Sequence, residues 1–251
     1  MRPSRFVPCP TLALALALTL PVITFAGPPE GFHPLAPDQE VAQVTDWTAV
    51  TDGVWKREIR KTDGSLRTER IARGPAGLRW AAGRMALELL GLMDRQAADP
   101  TASLETQIAL RRQAIRDLEG AIERLESLGG AAATVPGIDS CDFTFGASAE
   151  AVGGFSGGSG ARANADASFT STCGIVATVT ASVLTTAAFG NPPRGIRLDL
   201  DDCSLTGDDV SCDINAGVGG TAPCSSEASA RVSSPTLGLV FEVEDDNSSC
   251  G

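Results

Sequence analysis

The chain has 251 residues, 31 acidic and 20 basic, for a formal net charge of −11, and 43% of it is hydrophobic. An acidic surplus of that size excludes a protein that coats nucleic acid, which needs a basic face to meet the phosphates. A single histidine excludes most imidazole-based catalysis, since a Ser-His-Asp triad needs a positioned ring.

Residues 1–26 read as a cleavable signal peptide. Arg2 and Arg5 make a basic start, and an apolar run follows from Leu12 to Leu20. That run is shorter than the roughly 20 residues a bilayer-crossing helix needs. Pro21 closes it, and Thr24, Phe25 and Ala26 supply a cleavage site before Gly27. Cys9 precedes the run and leaves with it. The mature protein is expected in the periplasm or outside the cell, with no integral membrane segment after cleavage. Residues 27–43 carry Pro28, Pro29, Pro34 and Pro37 and read as an extended linker. The lone histidine, His33, sits here with nothing to hold it.

Residues 44–130 read as a β-hairpin followed by two helices. Val54, Trp55, Ile59, Leu66 and Ile71 flank the turn dipeptide Asp63-Gly64. A two-residue loop sets Glu58 against Glu69, and a three-residue loop sets Glu58 near Arg70, so the register stays open. Leu78, Ala82, Met85, Leu89 and Leu92 recur at helical spacing. Asp99-Pro100 reads as an N-cap with a proline behind it, opening a second helix from Thr101 to Leu128. Leu104, Ile108, Ile115, Leu118, Ile122 and Leu125 fill its heptad core positions, with Arg111 interrupting one of them. This Leu104–Leu125 stripe packs on the first helix as a hairpin, or joins copies or a protein partner as a short coiled coil. Arg111 and Gly120 weaken a long free coil.

Residues 131–251 read as an all-β domain. Alternation runs through Phe143–Ala151, Ala161–Phe169, Ile175–Val183, Ile196–Leu200 and Leu237–Val243. Gly153–Gly160 between the first two runs reads as a linker or hairpin tip. The side chains aimed inward are small, so this core is thin at about 25 cal/mol per Å² of apolar surface. Six cysteines fall here: Cys141, Cys173, Cys203, Cys212, Cys224 and Cys250. An even count in an exported chain implies three bridges, and Cys203 with Cys212 suits a hairpin staple. The fold class expected is therefore α+β: a helical hairpin or short coiled coil, then a disulfide-stapled antiparallel β-sandwich or barrel.

Candidate chemistry is sparse. Gly154-Phe155-Ser156-Gly157-Gly158 spells GxSxG, but no helix pattern follows it, so the strained nucleophile turn is not expected. Asp199, Asp201 and Asp202 beside Cys203, with Asp208 and Asp209 near Cys212, form an acidic cluster that could hold calcium, although the spacing is not that of an EF-hand. The alternative is a set of solvated turn acids.

Charge is shared unevenly. Residues 131–251 hold 4 Arg against 15 Asp and Glu, whereas Lys56–Arg73 holds 7 basic against 3 acidic residues. These two surfaces either stay solvated or meet each other. The reading that uses all of these features is an exported, non-enzymatic binding or assembly module of the envelope or extracellular space. Its alternatives are a calcium-dependent binding or hydrolytic domain built on the Asp cluster, and an inhibitor or accessory subunit of a secreted enzyme.

Overall fold

A computed structural model of the protein describes residues 41–62, 64–98, 100–127, 142–155, 158–189 and 194–248. The signal peptide, residues 27–40 with His33, Asp63, Asp99, Ser156, Cys141 and Cys250 lie outside them. In chain order the elements are β1 (Val41–Val44), β2 (Thr48–Thr51), β3 (Val54–Lys61), β4 (Leu66–Arg73), α1 (Gly74–Ala98), α2 (Ala102–Ser127), β5 (Phe143–Phe155), β6 (Gly158–Ser171), β7 (Ala177–Phe189), β8 (Gly195–Gly207), β9 (Asp209–Gly219), β10 (Thr221–Ser234) and β11 (Leu239–Asn247).

Two antiparallel sheets face each other. Sheet A runs β1-β3-β4-β11-β10-β7-β8, with β2 also paired to β3, and sheet B runs β5-β6-β9. Period-two alternation sends Ala147, Ala149, Ala163, Ala165 and Ala167 of sheet B against Ala177, Val179, Ala181, Val183, Ala228, Ala230 and Val243 of sheet A. Bulk is supplied at one end, where Phe169 and Phe241 are fully buried and Phe145 meets Phe241 edge-on. The helical hairpin covers part of the other face of sheet A, so the molecule has three layers: sheet B, sheet A and helices. The mixed α+β class, the helical hairpin and the stapled sandwich are thus all present.

One alternating run points the other way. Ile196 and Leu198 on β8 are 71% and 63% exposed, because the apolar phase of that strand faces away from sheet B. The Gly-rich stretch is mostly strand: Gly153 pairs with Ala161 and Phe155 with Gly158, leaving a short tip. The Pro-rich segment gives way to strand at Val41, where β1 pairs with β3.

The β3–β4 hairpin has the three-residue loop considered from sequence, but with a pairing different from either expected one. Lys61 N–H donates to the Ser65 carbonyl at 3.0 Å, which closes a three-residue loop and sets Glu58 opposite Thr68 and Arg57 opposite Glu69. The register is favourable because Arg57 Nε then donates to Glu69 at 2.5 Å. The hairpin is also continuous with the C-terminal strands, since β4 pairs with β11 along its length. The basic strip and the acidic region therefore meet inside one sheet: Lys61 Nζ reaches Asp245 at 2.6 Å, and Arg70 reaches Glu242 at 3.3 Å.

The helices pack as an intramolecular hairpin. Leu118, Ile122 and Leu125 of α2 are buried with Leu78, Ala81 and Met85 of α1. Helix α2 starts later than Asp99-Pro100 suggests. Thr101 is its N-cap: the Thr101 hydroxyl oxygen accepts from Leu104 N–H at 3.2 Å, which satisfies one of the orphan donors of the first turn.

Cys203 and Cys212 form a disulfide. Cys203 is on β8 in sheet A and Cys212 on β9 in sheet B, so the bond joins the two layers at their shared edge. Cys173 and Cys224 are each disulfide-bonded as well, though not to one another. The bridged residues 203 and 212 are 9 apart in sequence, and loop-closure entropy for a ring that size is about 2–3 kcal/mol. The variant C203A/C212A is expected to lose about that much stability in urea denaturation, with the far-ultraviolet β signal retained.

Candidate functional site

The chain passes from β4 into α1 through a close approach. Gly53 has φ +68°, its carbonyl accepts from Arg73 N–H at 2.8 Å, and a Cβ on Gly77 would stand 2.4 Å from that same carbonyl. Only glycine at 77 lets the first turn of α1 lie flat on the β2–β3 turn. From there α1 crosses the outer face of sheet A, and the cross-strand register fixes what it meets. Nearest the junction are Val54, Ala72 and Val240, sealed by Leu78, Ala81 and Met85. The next row across the strands is Arg70, Glu242, Arg231 and Thr180. After it come Thr68, Glu244, Ser229, Ser182 and Asp202, then Leu66, Asp246, Glu227, Leu184 and Leu200.

Helix α1 answers the two polar rows with charge. Arg231 lies between Glu242 and Glu88. It donates to Glu242 through Nε at 3.0 Å and Nη2 at 2.7 Å, and to Glu88 through Nη1 at 3.0 Å and Nη2 at 2.5 Å. Its side chain is 7% exposed and that of Glu242 only 2%. Arg84 of α1 pairs with Glu242 at 2.9 Å and also with Glu244, which Arg70 shares. Arg111, the residue that interrupts the α2 heptads, comes to 3.5 Å of Glu88. Strands β4, β10 and β11 and both helices thus meet in one buried ion network.

The electrostatics follow from that geometry. Burial alone would raise Glu242, but the Arg231 and Arg84 guanidiniums outweigh it and hold the carboxyl down at about 2. Glu88 is likewise lowered, its burial outweighed by Arg231. Burial and the neighbouring Glu242 charge push Glu244 up. Arg111 is lowered, by burial first and then by Arg231.

Beyond the network the helices leave sheet A uncovered, and a cleft of about 610 Å³ opens between α1 and the sheet. Gly91, Leu92 and Arg95 of α1 and Arg111 of α2 form its wall; Ser182, Leu184, Leu200, Asp202, Glu227 and Ser229 form its floor. Burial raises Asp202 despite the Ser182 hydroxyl and the nearby Arg95 and Arg111. This is the candidate binding site.

The five aspartates singled out from sequence do not share one place. Asp199 turns to the sheet B side, where its Oδ2 accepts from Gly217 N–H at 2.9 Å. Asp201 Oδ1 accepts from Asp202 N–H at 3.0 Å, and Asp209 Oδ1 from the Thr170 hydroxyl at 3.3 Å. Asp208 sits exposed in the β8–β9 turn. Asp202 alone lines the cleft. Among the described residues no three His, Cys, Asp or Glu side chains are grouped so as to hold a metal ion.

Sequence reasoning missed the network. Its one visible signal was Arg111 within an apolar stripe. The alternation of Glu242, Glu244 and Asp246 with Phe241 and Val243 is the ordinary pattern of a strand with one wet face, and nothing local reveals that a helix covers that face.

No protein-family model matches the chain and no curated protein sequence matches it. Among solved structures it is similar to a crystal structure of an ApaA protein from Bordetella pertussis, at 13% identity over 43% of this chain and 91% of that one, with a TM-score of 0.20. A likeness that low carries no argument about fold or function.

Two outcomes test the network. Glu242 has a folded value of about 2 against 4.5 for the free side chain. Its contribution is therefore complete above pH 4.5 and is lost as pH falls towards 2. Chemical denaturation of the wild type should show that loss, on the order of 2–3 kcal/mol, and E242Q should remove it. Arg231→Met should cost about 3–5 kcal/mol, because it strands the buried Glu242 and the half-buried Glu88; adding E242Q and E88Q should restore part of the loss.

Proposed function

We propose that the chain is an exported, non-enzymatic binding module and that the cleft between α1 and the outer face of sheet A is where its ligand docks. One observation carries the reading. The helical hairpin seals the first rows of that face with apolar contacts and ion pairs, then stops, leaving Leu184, Leu200, Asp202 and Glu227 as the floor of an open cleft. A surface that mixes leucines with carboxylates beside a rigid wall suits a ligand better than it suits water.

The supports are physical. The network pins α1 to β10 and β11, so the wall is preorganised and binding need not order it. Disulfides hold the sandwich in an oxidising compartment, in keeping with the leader at residues 1–26. A role as inhibitor or accessory subunit of a secreted enzyme is one form of this reading, with the enzyme as ligand. The calcium-dependent alternative draws less support, because Asp199, Asp201 and Asp209 are engaged at separate places.

The test fills the cleft. Ser229 lies on its floor, and Ser229→Trp should block it while leaving thermal unfolding within a few degrees of wild type. Immobilised wild-type protein is expected to retain a specific partner from culture supernatant that S229W loses. Retention by both, or recovery of the chain's own copies alone, would count against the cleft.

A further inference from the structure

The floor of the cleft continues into an apolar surface along one rim. On β8, Ile196 and Leu198 share the face of Leu200 and carry it towards the strand end. Leu200 to Ile196 spans ~13 Å, close to two and a half turns of helix. An elongated apolar strip of this kind is too long for a compact small molecule and suits one face of a helix.

Charge selects which helix. Glu227 and Asp246 stand directly opposite each other on β10 and β11, both exposed. Like charges in that position repel, and among the described residues neither has an ion-pair partner. Asp202 lines the same floor. Of the cations nearby, Arg84 is engaged by Glu242 and Glu244, Arg231 by Glu88 and Glu242, and Arg111 by Glu88, while Arg95 on the wall lies near Asp202. What the strip offers a newcomer is therefore leucines flanked by Glu227 and Asp246, which no ion pair among the described residues neutralises, on a chain of net charge −11.

Resting on the binding-module reading, we infer that the occupant is a basic amphipathic helix of a protein partner, with its apolar face on Leu184, Leu198 and Leu200 and its Lys or Arg side chains over Glu227 and Asp246. A ligand of that chemistry relieves the like-charge pair and covers the exposed leucines in one event, and opposite fields speed the encounter.

The experiment is fluorescence polarisation of labelled peptides of about five helical turns on the disulfide-intact mature protein. Three probes are used: a Leu/Lys amphipathic helix, the same pattern in Leu/Glu, and a scrambled Leu/Lys peptide that cannot form an apolar face. The Leu/Lys helix is expected to bind saturably. Binding should weaken at least about tenfold with E227Q/D246N and again with Leu198→Asp, since a tenfold change is about 1.4 kcal/mol, the scale of a few lost contacts. All three positions are exposed, and unchanged thermal unfolding confirms that the variants stay folded. Equal binding of the scrambled peptide, or indifference to Leu198→Asp, would reduce the effect to bulk charge attraction and overturn the inference. Preference for the Leu/Glu helix, lost in S229W, would overturn it while leaving the cleft as the binding site. Binding of none of the probes would overturn it too, and the supernatant capture would still decide the cleft by itself.

Discussion

Arg231 is the residue on which the rest of the arrangement turns. It rises from the middle of sheet A, 7% exposed, and four of its donated hydrogen bonds go to two carboxylates, one from the neighbouring strand and one from α1. Burying a guanidinium is expensive, and the cost is offset only when its partners are ionised and well placed. Glu242 and Glu88 meet that condition, both being held as carboxylates by the cation between them. The bridge therefore does more than join elements. A slide of α1 along the sheet would leave the buried Arg231 and Glu242 short of partners, so the bridge favours one position of the helical hairpin.

The sandwich solves a different problem by different means. Its interior is built largely of alanine and valine, which allows the sheets to approach closely but removes little apolar area per residue. Crosslinks supply what burial does not. The Cys203–Cys212 bond joins β8 to β9, which are neighbours in the chain but belong to opposite sheets. At that edge Asp199 also caps the open backbone of β9 at Gly217, and the run of aspartates along β8 discourages another strand from adding there.

Which features were legible in the sequence follows from the range of the interactions behind them. Helical stripes, β alternation, the Gly-rich tip and the nearby cysteine pair are set by neighbours within about ten residues, and each is visible as a pattern. The register of β3 on β4 was not, because it depends on a hydrogen bond between Lys61 and Ser65 and on the Arg57–Glu69 pair, neither of which a turn dipeptide specifies. The join of β4 to β11 spans most of the chain, so composition hinted at it only through the basic and acidic halves that meet there. The cleft was least legible. Its floor comes from β7, β8 and β10, its wall from α1 and α2, and Glu242 looks like a solvent-facing residue until α1 is laid over it.

A division of labour along the outer face of sheet A follows. Where α1 lies close, the sheet presents charge and the helix brings counter-charge, so a polar surface becomes structural. Where α1 lifts away, the sheet presents leucines beside carboxylates. A protein that needed only stability would invert this order, placing leucines under the helix and charges in water. The inversion carries a cost in desolvation on one side and in exposed apolar area on the other. It makes physical sense if the buried charges serve to hold α1 at a fixed height, and the exposed leucines are an unfinished core that a second molecule completes.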